Sequence, residues 1–192
     1  MKKILTILLM KVVIVLTLTM LTITVFGQGR YSFTKITEIE GTDYVVASVE
    51  PWEKLEGVKN RQWLFIDTKN GQANRFELPD GGWFNTKPEQ IKIDDLNINI
   101  LLVVVQSVDL DGKNGIDYND PRQMLAVSTD GTKSTQLTDS KLYVLSWAVN
   151  RKTGALVVTG YYDLNNNHRY DKTDKNEIGI YDLKTLKLIT KI

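Results

Sequence analysis

Two segments of this chain place oxygen-bearing side chains at matching intervals. One runs from Asp109 to Asp120 and the other from Asp163 to Asp174, so their starting points lie 54 residues apart (163 − 109). Both carry Asp or Asn at loop positions 1, 3, 9 and 12, with an apolar or aromatic residue at position 8. Ca²⁺ takes six to eight oxygen ligands at about 2.3–2.6 Å, and short loops with such spacing supply them. The spacing therefore predicts two calcium-binding loops.

The second loop offers the fuller ligand set. Its predicted ligands are five side chains and, at position 7, one backbone carbonyl: Asp163, Asn165, Asn167, Asp171 and Asp174, with Arg169. This pattern resembles the calcium loops of EF-hands and dockerins, and the resemblance implies one bound Ca²⁺. The chain departs from it in two ways, because His168 occupies the position where Gly usually makes the sharp turn and position 12 is Asp instead of Glu. Flanking strands also replace the usual helices.

The first loop supplies four carboxylates, from Asp109, Asp111, Asp117 and Asp120. Lys113 occupies its position 5, where no side-chain oxygen is then available. For both loops a simpler interpretation stays open, since Asp, Asn and Gly are also the residues that favour surface turns.

The donor chemistry favours calcium over other metals. The chain has no Cys and one His, whereas zinc and copper sites draw on sulfur and imidazole ligands. Extracellular calcium modules bind with dissociation constants of about 10⁻⁴–10⁻³ M. The sequence thus predicts one or two structural Ca²⁺ ions that stabilise the fold and do not act as a switch.

The segments that hold these loops are predicted to be β-strands. Short runs of β-branched and aromatic residues alternate with turn residues, as in Lys69-Asn70-Gly71 and Thr129-Asp130-Gly131, which favour tight hairpins. Three units, at about 31–80, 88–140 and 141–192, each show strands A and B, a long loop, strand C, a hairpin and strand D. The predicted strands are 31–39, 43–50, 62–67 and 73–78; 90–95, 98–107, 122–128 and 133–138; and 142–149, 155–162, 177–182 and 186–191.

This pattern predicts an all-β domain over 28–192, with three four-stranded antiparallel units in a propeller-like plan. Both acidic loops fall between strands B and C of their units. Closed propellers have four to eight blades, so three units predict an open or incomplete propeller, a curled sandwich, or self-association through the free sheet edges.

One stretch also resembles a known repeat. Ser128-Thr-Asp130-Gly131 leading to Leu137-Thr138, followed by Trp147 and the apolar strand Ala155-Leu-Val-Val158, looks like the TolB-type β-propeller repeat. Asn150 to Gly154 departs from that family's Ser-Pro-Asp-Gly turn. Members include binding platforms and the propeller domains of peptidases, so the resemblance implies a fold and no particular activity.

The N-terminus has the features of a secretion signal. Lys2 and Lys3 precede an apolar or Thr-bearing run from Val12 to Phe26, and cleavage after Gly27 would leave Gln28 as the new terminus. The run is shorter than the roughly 20 residues that span a bilayer. The chain is therefore predicted to be exported to the periplasm, the cell surface or the medium, without a stable membrane span after cleavage; a retained N-terminal anchor is the alternative.

The remaining chemistry favours a binding role over catalysis. The formal net charge of +1 and the absence of a basic stripe argue against nucleic acid. No nucleophile motif appears, and the single His lies inside the second loop. We therefore predict a non-enzymatic binding or scaffold module with a protein or glycan partner. The alternatives are a carbohydrate- or peptide-recognition module that uses exposed Trp52 and Trp83, and, less favoured, a hydrolase-associated propeller domain.

Overall fold

A computed structural model of the chain describes residues 31–51, 62–78, 81–110, 112–113 and 115–192. The described residues form thirteen strands in three antiparallel sheets. Sheet 1 has the order β1-β2-β3-β4, with β1 (Tyr31–Glu38), β2 (Tyr44–Pro51), β3 (Gln62–Asp67) and β4 (Ala73–Glu77). Sheet 2 has the order β5-β7-β8-β9, with β6 also paired to β7: β5 (Trp83–Phe84), β6 (Glu89–Ile93), β7 (Ile98–Gln106), β8 (Gln123–Ser128) and β9 (Ser134–Gln136). Sheet 3 has the order β10-β11-β12-β13, with β10 (Tyr143–Asn150), β11 (Ala155–Tyr162), β12 (Lys175–Asp182) and β13 (Lys187–Lys191).

Each sheet ends in a tight hairpin between its third and fourth strands. In sheets 1 and 2 these turns contain Gly71 and Gly131, at φ 72° and 73°, a left-handed conformation that glycine adopts without steric cost. The Asn-Gly and Asp-Gly signals of the sequence therefore mark real turns. A 3₁₀ turn at Asp94–Leu96 separates β6 from β7 and ends with Asn97 at φ 54°.

Sheet 2 is buried on both faces, and this places it between the other two. One apolar cluster joins Trp63 and Phe65 of sheet 1 to Leu101 and Val103 of sheet 2. A second cluster joins the opposite face of sheet 2 to sheet 3; it includes Leu102, Met124, Leu156 and Tyr181. Strands β7 and β8 accordingly read as near-continuous apolar runs, as expected of strands covered on both sides.

The all-β prediction is confirmed, and the three sheets are antiparallel; sheets 1 and 3 have four strands, whereas sheet 2 has five. The predicted strands from residue 31 onward match the observed ones to within a few residues at their ends. One strand was not predicted: Trp83–Phe84 pairs with Gln106 and Val105 as β5, and Phe84 stacks on Trp63 with ring centroids 4.0 Å apart. The predicted signal segment, residues 1–27, lies outside the described residues.

Candidate calcium-binding loops

Both acidic loops connect the two central strands of a sheet. Residues 107–122 join β7 to β8 in sheet 2, and residues 163–174 join β11 to β12 in sheet 3. In each sheet these two strands are antiparallel neighbours, so the two ends of each loop lie side by side. The sheets thus hold the two loops in equivalent positions.

A buried carboxylate closes each loop in the same way. Asp174 is 9% exposed and accepts hydrogen bonds from the backbone N–H groups of Leu164 (3.3 Å) and Asp171 (2.8 Å). Asp120 is 3% exposed and accepts from Leu110 (2.9 Å) and Asp117 (2.8 Å). In both loops the carboxylate at position 12 therefore accepts hydrogen bonds from the backbone at positions 2 and 9.

The carboxylate at position 9 of the second loop, Asp171, accepts hydrogen bonds from several polar groups of the loop. Asp171 Oδ2 accepts hydrogen bonds from the amide groups of Asn165 (3.1 Å) and Asn167 (2.7 Å), while Oδ1 accepts from the backbone N–H of Thr173 (2.7 Å). The Thr173 hydroxyl and backbone, followed by the two amides, lower the pKa of Asp171 to about 2. The side chains at positions 3 and 5 thus both hydrogen-bond to the carboxylate at position 9.

The second loop makes its sharp turn without glycine. Asn166 and His168 both adopt positive φ, at 56° and 60°, a conformation that costs a non-glycine residue about 1–2 kcal/mol. The Asp163 carboxylate supports this turn by accepting from the backbone N–H groups of Asn167 (3.3 Å) and His168 (2.7 Å). His168 therefore adopts the left-handed conformation that Gly usually provides at this position in the loops it resembles.

The first loop repeats part of this arrangement. Asp109 Oδ1 accepts from the backbone N–H of Gly112 (2.7 Å), which has φ 66° at the position equivalent to Asn166. Asp117 Oδ1 accepts from the N–H of Asn119 (2.7 Å), as Asp171 does from Thr173. Asp111 lies outside the described residues, so its place in the loop stays a prediction.

Two buried glutamines brace the base of the first loop, and sequence reasoning missed both. Gln106 is fully buried and donates to the carbonyls of Asp117 and Asp120, each at 2.7 Å. Gln123, also fully buried, donates to the carbonyls of Pro121 (2.9 Å) and Ser140 (3.0 Å). The available signal was a polar amide directly adjoining an apolar strand at each end of the loop.

A row of tyrosines links the two loops. Tyr143 Oη donates to the carbonyl of Asn119 in the first loop (2.7 Å). Its ring stacks on Tyr161 with centroids 4.9 Å apart, and Tyr161 in turn contacts Tyr170 of the second loop at 4.9 Å. Burial raises the pKa of Tyr161, and the nearby Asp174 and Asp163 carboxylates raise it further.

A cleft of about 790 Å³ lies between the two loops. Glu177 on its wall is 6% exposed and pairs with Lys191, whose Nζ lies 2.7 Å from Glu177 Oε1. This contact and the Tyr162 hydroxyl raise the pKa of Lys191. The cleft is lined by both loops, by strands of sheet 3 and by the segment that joins β9 to β10: Leu110, Lys113, Asp139, Lys141, Tyr143, Tyr162, Asp163, Leu164, Asn166, His168, Lys175, Glu177 and Lys191.

The donor types of the second loop suit calcium, but its carboxylates lie farther apart than a bound ion would require. Within the described part of the chain, no three Asp, Glu or His side chains gather closely enough to hold a metal ion. The Asn165 and Asn167 amides point their nitrogens at Asp171, and a half-turn of each would present its oxygen instead. Each Asp163 and Asp174 oxygen accepts one hydrogen bond, which leaves room for a second partner.

Trp83 is not the exposed aromatic residue that the sequence predicts. Trp83 is only 4% exposed, because β5 holds it against β7 and its ring packs edge-on to Tyr118 at 5.4 Å. Its neighbours Asp80-Gly81-Gly82 suggested a loop, but strand pairing to Gln106 draws the side chain inward. Trp52 lies outside the described residues.

Comparison with known proteins assigns no family. No family model and no curated protein match the chain. A solved structure of acylaminoacyl peptidase from Pyrococcus horikoshii is similar over 84% of this chain and 25% of that one, with 9% identity and a TM-score of 0.44. This chain thus spans about a quarter of that peptidase's length, and a likeness of this size assigns neither a fold family nor an activity. Among the described residues, no helix has the length and apolar character needed to cross a membrane.

Proposed function

We propose that the chain is an exported, calcium-stabilised β-repeat protein that acts as a binding or scaffold module. In this proposal one or two Ca²⁺ ions occupy the loops at 109–120 and 163–174. Their role is structural: they fix the loops that connect the central strands of sheets 2 and 3. The chain begins with a secretion-like segment and has no Cys, so a bound cation would provide the stabilisation that disulfides give many exported domains.

The observation that carries the proposal is the shared closure of the two loops. Asp120 and Asp174 make the same pair of backbone hydrogen bonds, from positions 2 and 9, in two different sheets. Simple turn chemistry explains an Asx turn such as that at Asp117 or Asp171, but it does not require a buried carboxylate at position 12. A recurring buried carboxylate beside further oxygen donors is what a repeated cation loop needs.

Calcium would supply a central positive charge for the oxygens of these loops. In the second loop Asp163, Asn165, Asn167, Asp171 and Asp174 would hold it, with the Arg169 carbonyl. In the first loop Asp109, Asp111, Asp117 and Asp120 would do so. The carboxylates at positions 1, 9 and 12 would have to approach one another, and the attraction of a divalent ion for each carboxylate favours that movement.

The stacking of three sheets supports a propeller-like plan of TolB-type repeats. The apolar clusters join sheet 1 to sheet 2 and sheet 2 to sheet 3, as successive blades pack in a propeller. Within the described residues neither cluster joins sheet 3 back to sheet 1, so we propose an open arc. Such an arc would present its connecting loops to a protein or glycan partner and would perform no chemistry of its own.

Thermal unfolding with and without calcium tests this function. A ligand at 100 times its dissociation constant stabilises the folded state by about 2.7 kcal/mol. For a chain of this length that corresponds to an increase in melting temperature of roughly 5–10 °C. We therefore expect 10 mM CaCl₂ to raise the melting temperature by several degrees relative to chelator. Magnesium at the same concentration is the control, because it demands a tighter octahedral shell.

The Asp171→Ala variant separates binding from a general salt effect. Removing this carboxylate should abolish the contribution of the second loop and reduce the calcium-induced shift. Equal melting temperatures of the wild type in calcium and in chelator would contradict the proposal.

A further inference from the structure

A groove of about 700 Å³ separates the edge of sheet 2 from the first strand of sheet 3. One wall is β10, and the other is the segment from Asn85 to Ile91, which includes part of β6. Neither acidic loop contributes a residue to the described lining of this groove. The groove is therefore separate from the proposed calcium sites.

Strand β10 presents its edge to the groove. Six consecutive residues, Val144 to Val149, line it, whereas a sheet face would contribute every second residue because successive side chains point to opposite faces. Among the described strands β10 pairs with β11 alone and stands first in the order of sheet 3. In an antiparallel pair every second residue directs its N–H and C=O away from the partner strand. The edge of β10 thus offers backbone donors and acceptors to the groove.

This edge is regular and accessible over five residues. The pairing of β10 with β11 shifts between Val144 and Ser146, but from Ser146 to Asn150 each residue pairs with the next residue of β11 in turn. Five residues of strand extend about 17 Å. Leu145 is 58% exposed, and Ser146 and Ala148 are exposed as well. An extended peptide of similar length would fit beside this edge.

Most of the charged side chains that line the groove are cations. They are Lys87, Arg122 and Arg151, and Glu89 is the only carboxylate among the described lining residues. All four side chains belong to exposed residues. Within the described part of the chain, none of the three cations forms an ion pair. A ligand with several negative charges would supply the missing counter-charges.

Lys35 of β1 extends this positive region. Its side chain contacts that of Lys87, and this contact together with the repulsion between the two ammonium groups lowers the pKa of Lys35. Like charges at such short range repel each other. A carboxylate placed between the two lysines would replace this repulsion with attraction.

Cations lie at both ends of the β10 edge. The Arg122 carbonyl accepts a hydrogen bond from the backbone N–H of Val144 (3.1 Å) where the strand begins, and Arg151 directly follows Asn150 where it ends. The Arg151 guanidinium also donates to the carbonyl of Lys92 in β6 (3.2 Å), so it reaches across to sheet 2. Charges placed about a strand length apart favour an extended ligand with acidic groups at each end over one small anion.

We propose that this groove binds an extended acidic segment of a partner protein, which adds to sheet 3 as a strand beside β10. The backbone of the segment pairs with the free edge, as in other cases of strand addition. Its terminal carboxylates pair with Arg122 and Arg151, and a further carboxylate lies near Lys87 and Lys35. The proposal rests on the binding-module function proposed above, for which it names the site and the chemistry of the partner.

Fluorescence polarisation with the full chain and a designed peptide tests this proposal. The labelled peptide has eight residues, with both ends capped, two Asp at each end, and alternating Thr and Val between them. We expect it to bind about ten-fold or more tightly than the same peptide with Lys in place of Asp. Two further peptides carry N-methyl groups on alternate residues, in opposite registers. One of them should lose about ten-fold in affinity and the other should bind normally, because only one edge of the peptide faces β10.

Variants of the protein locate the binding to the groove. The double variant Lys87→Gln/Arg122→Gln should weaken binding of the acidic peptide by about ten-fold or more. Lys184→Gln is the matched control, since Lys184 is an exposed lysine in the hairpin between β12 and β13 and does not line the groove. It should change the affinity by less than about two-fold.

Several results would overturn the proposal. Equal binding of the acidic and basic peptides, or equal losses in the double variant and the Lys184 control, would reject the charged groove. Equal affinities of the two N-methylated peptides would reject strand addition, and tighter binding of a sulfated polysaccharide than of the peptide would indicate a glycan. Each titration is run with calcium and with chelator, beside the melting measurement. Peptide binding without any calcium-dependent melting would reject the calcium loops alone, and the converse would reject the groove alone.

Discussion

Replacing Asp174 with alanine is expected to lower the free energy of unfolding by about 3 kcal/mol in the presence of chelator. The substitution removes the common acceptor of the Leu164 and Asp171 backbone N–H groups. Hydrogen bonds to a charged acceptor contribute about 1.5–3 kcal/mol each, and donors left without a partner add to the loss. Because the site is 9% exposed, water only partly replaces the carboxylate.

A graded series makes this expectation specific. Asp174→Asn keeps one acceptor oxygen and should lose about half as much stability. Asp120→Ala should match Asp174→Ala, because Asp120 makes the equivalent two bonds in the first loop. Asp95→Ala is the control, since Asp95 is exposed and has no hydrogen-bond or ion-pair partner among the described residues. Urea unfolding measures the free energy of unfolding of all four variants. If Asp174→Ala loses no more stability than Asp95→Ala, the Asp174 carboxylate does not hold the second loop closed.

Gly131→Ala should be the most damaging small substitution in the hairpins. Gly131 has φ 73°, and a Cβ there would overlap the Phe65 ring, with Cγ and Cε2 at 2.6 Å. Phe65 is fully buried between sheets 1 and 2 and has no room to retreat. The left-handed conformation costs about 1–2 kcal/mol for alanine, and overpacking adds about 1–3 kcal/mol. We expect a total loss of about 4 kcal/mol.

Gly71→Ala is the matched control for that substitution. Gly71 lies in the equivalent hairpin of sheet 1 at φ 72°, and nothing lies within 4 Å of its added Cβ. It should therefore lose only the conformational part, about 1 kcal/mol. Equal losses at the two glycines would contradict the close approach of the sheet 2 hairpin to the Phe65 ring.

The strands and the position of the acidic loops were predictable because local patterns determine them. Alternating β-branched runs and Asn-Gly or Asp-Gly turns indicate β3, β4, β8 and β9. The same register then placed both loops between the central strands. His168 was recognisable as an exception at the sharp turn, and its φ of 60° shows that the backbone turns there despite the side chain.

Burial was harder to predict, because it depends on contacts far apart in the sequence. Trp83 follows a turn-like segment, yet pairing with Gln106 buries it. Gln106 and Gln123 resemble ordinary surface amides, but at the base of the first loop Gln106 donates to two backbone carbonyls and Gln123 to one. No local pattern indicates that sheet 2 is covered on both faces, since that arrangement follows from how three sheets stack.

Calorimetric titration of calcium into metal-free protein tests the central claim most directly. The account predicts saturable binding with a dissociation constant of about 10⁻⁴–10⁻³ M and a stoichiometry of one or two. If the wild type binds two ions, Asp171→Ala and Asp117→Ala should each reduce the stoichiometry to one. If it binds one ion, Asp171→Ala should remove that site and Asp117→Ala should leave it. The absence of saturable heat up to 10 mM calcium, or binding that survives both substitutions together, would contradict the account.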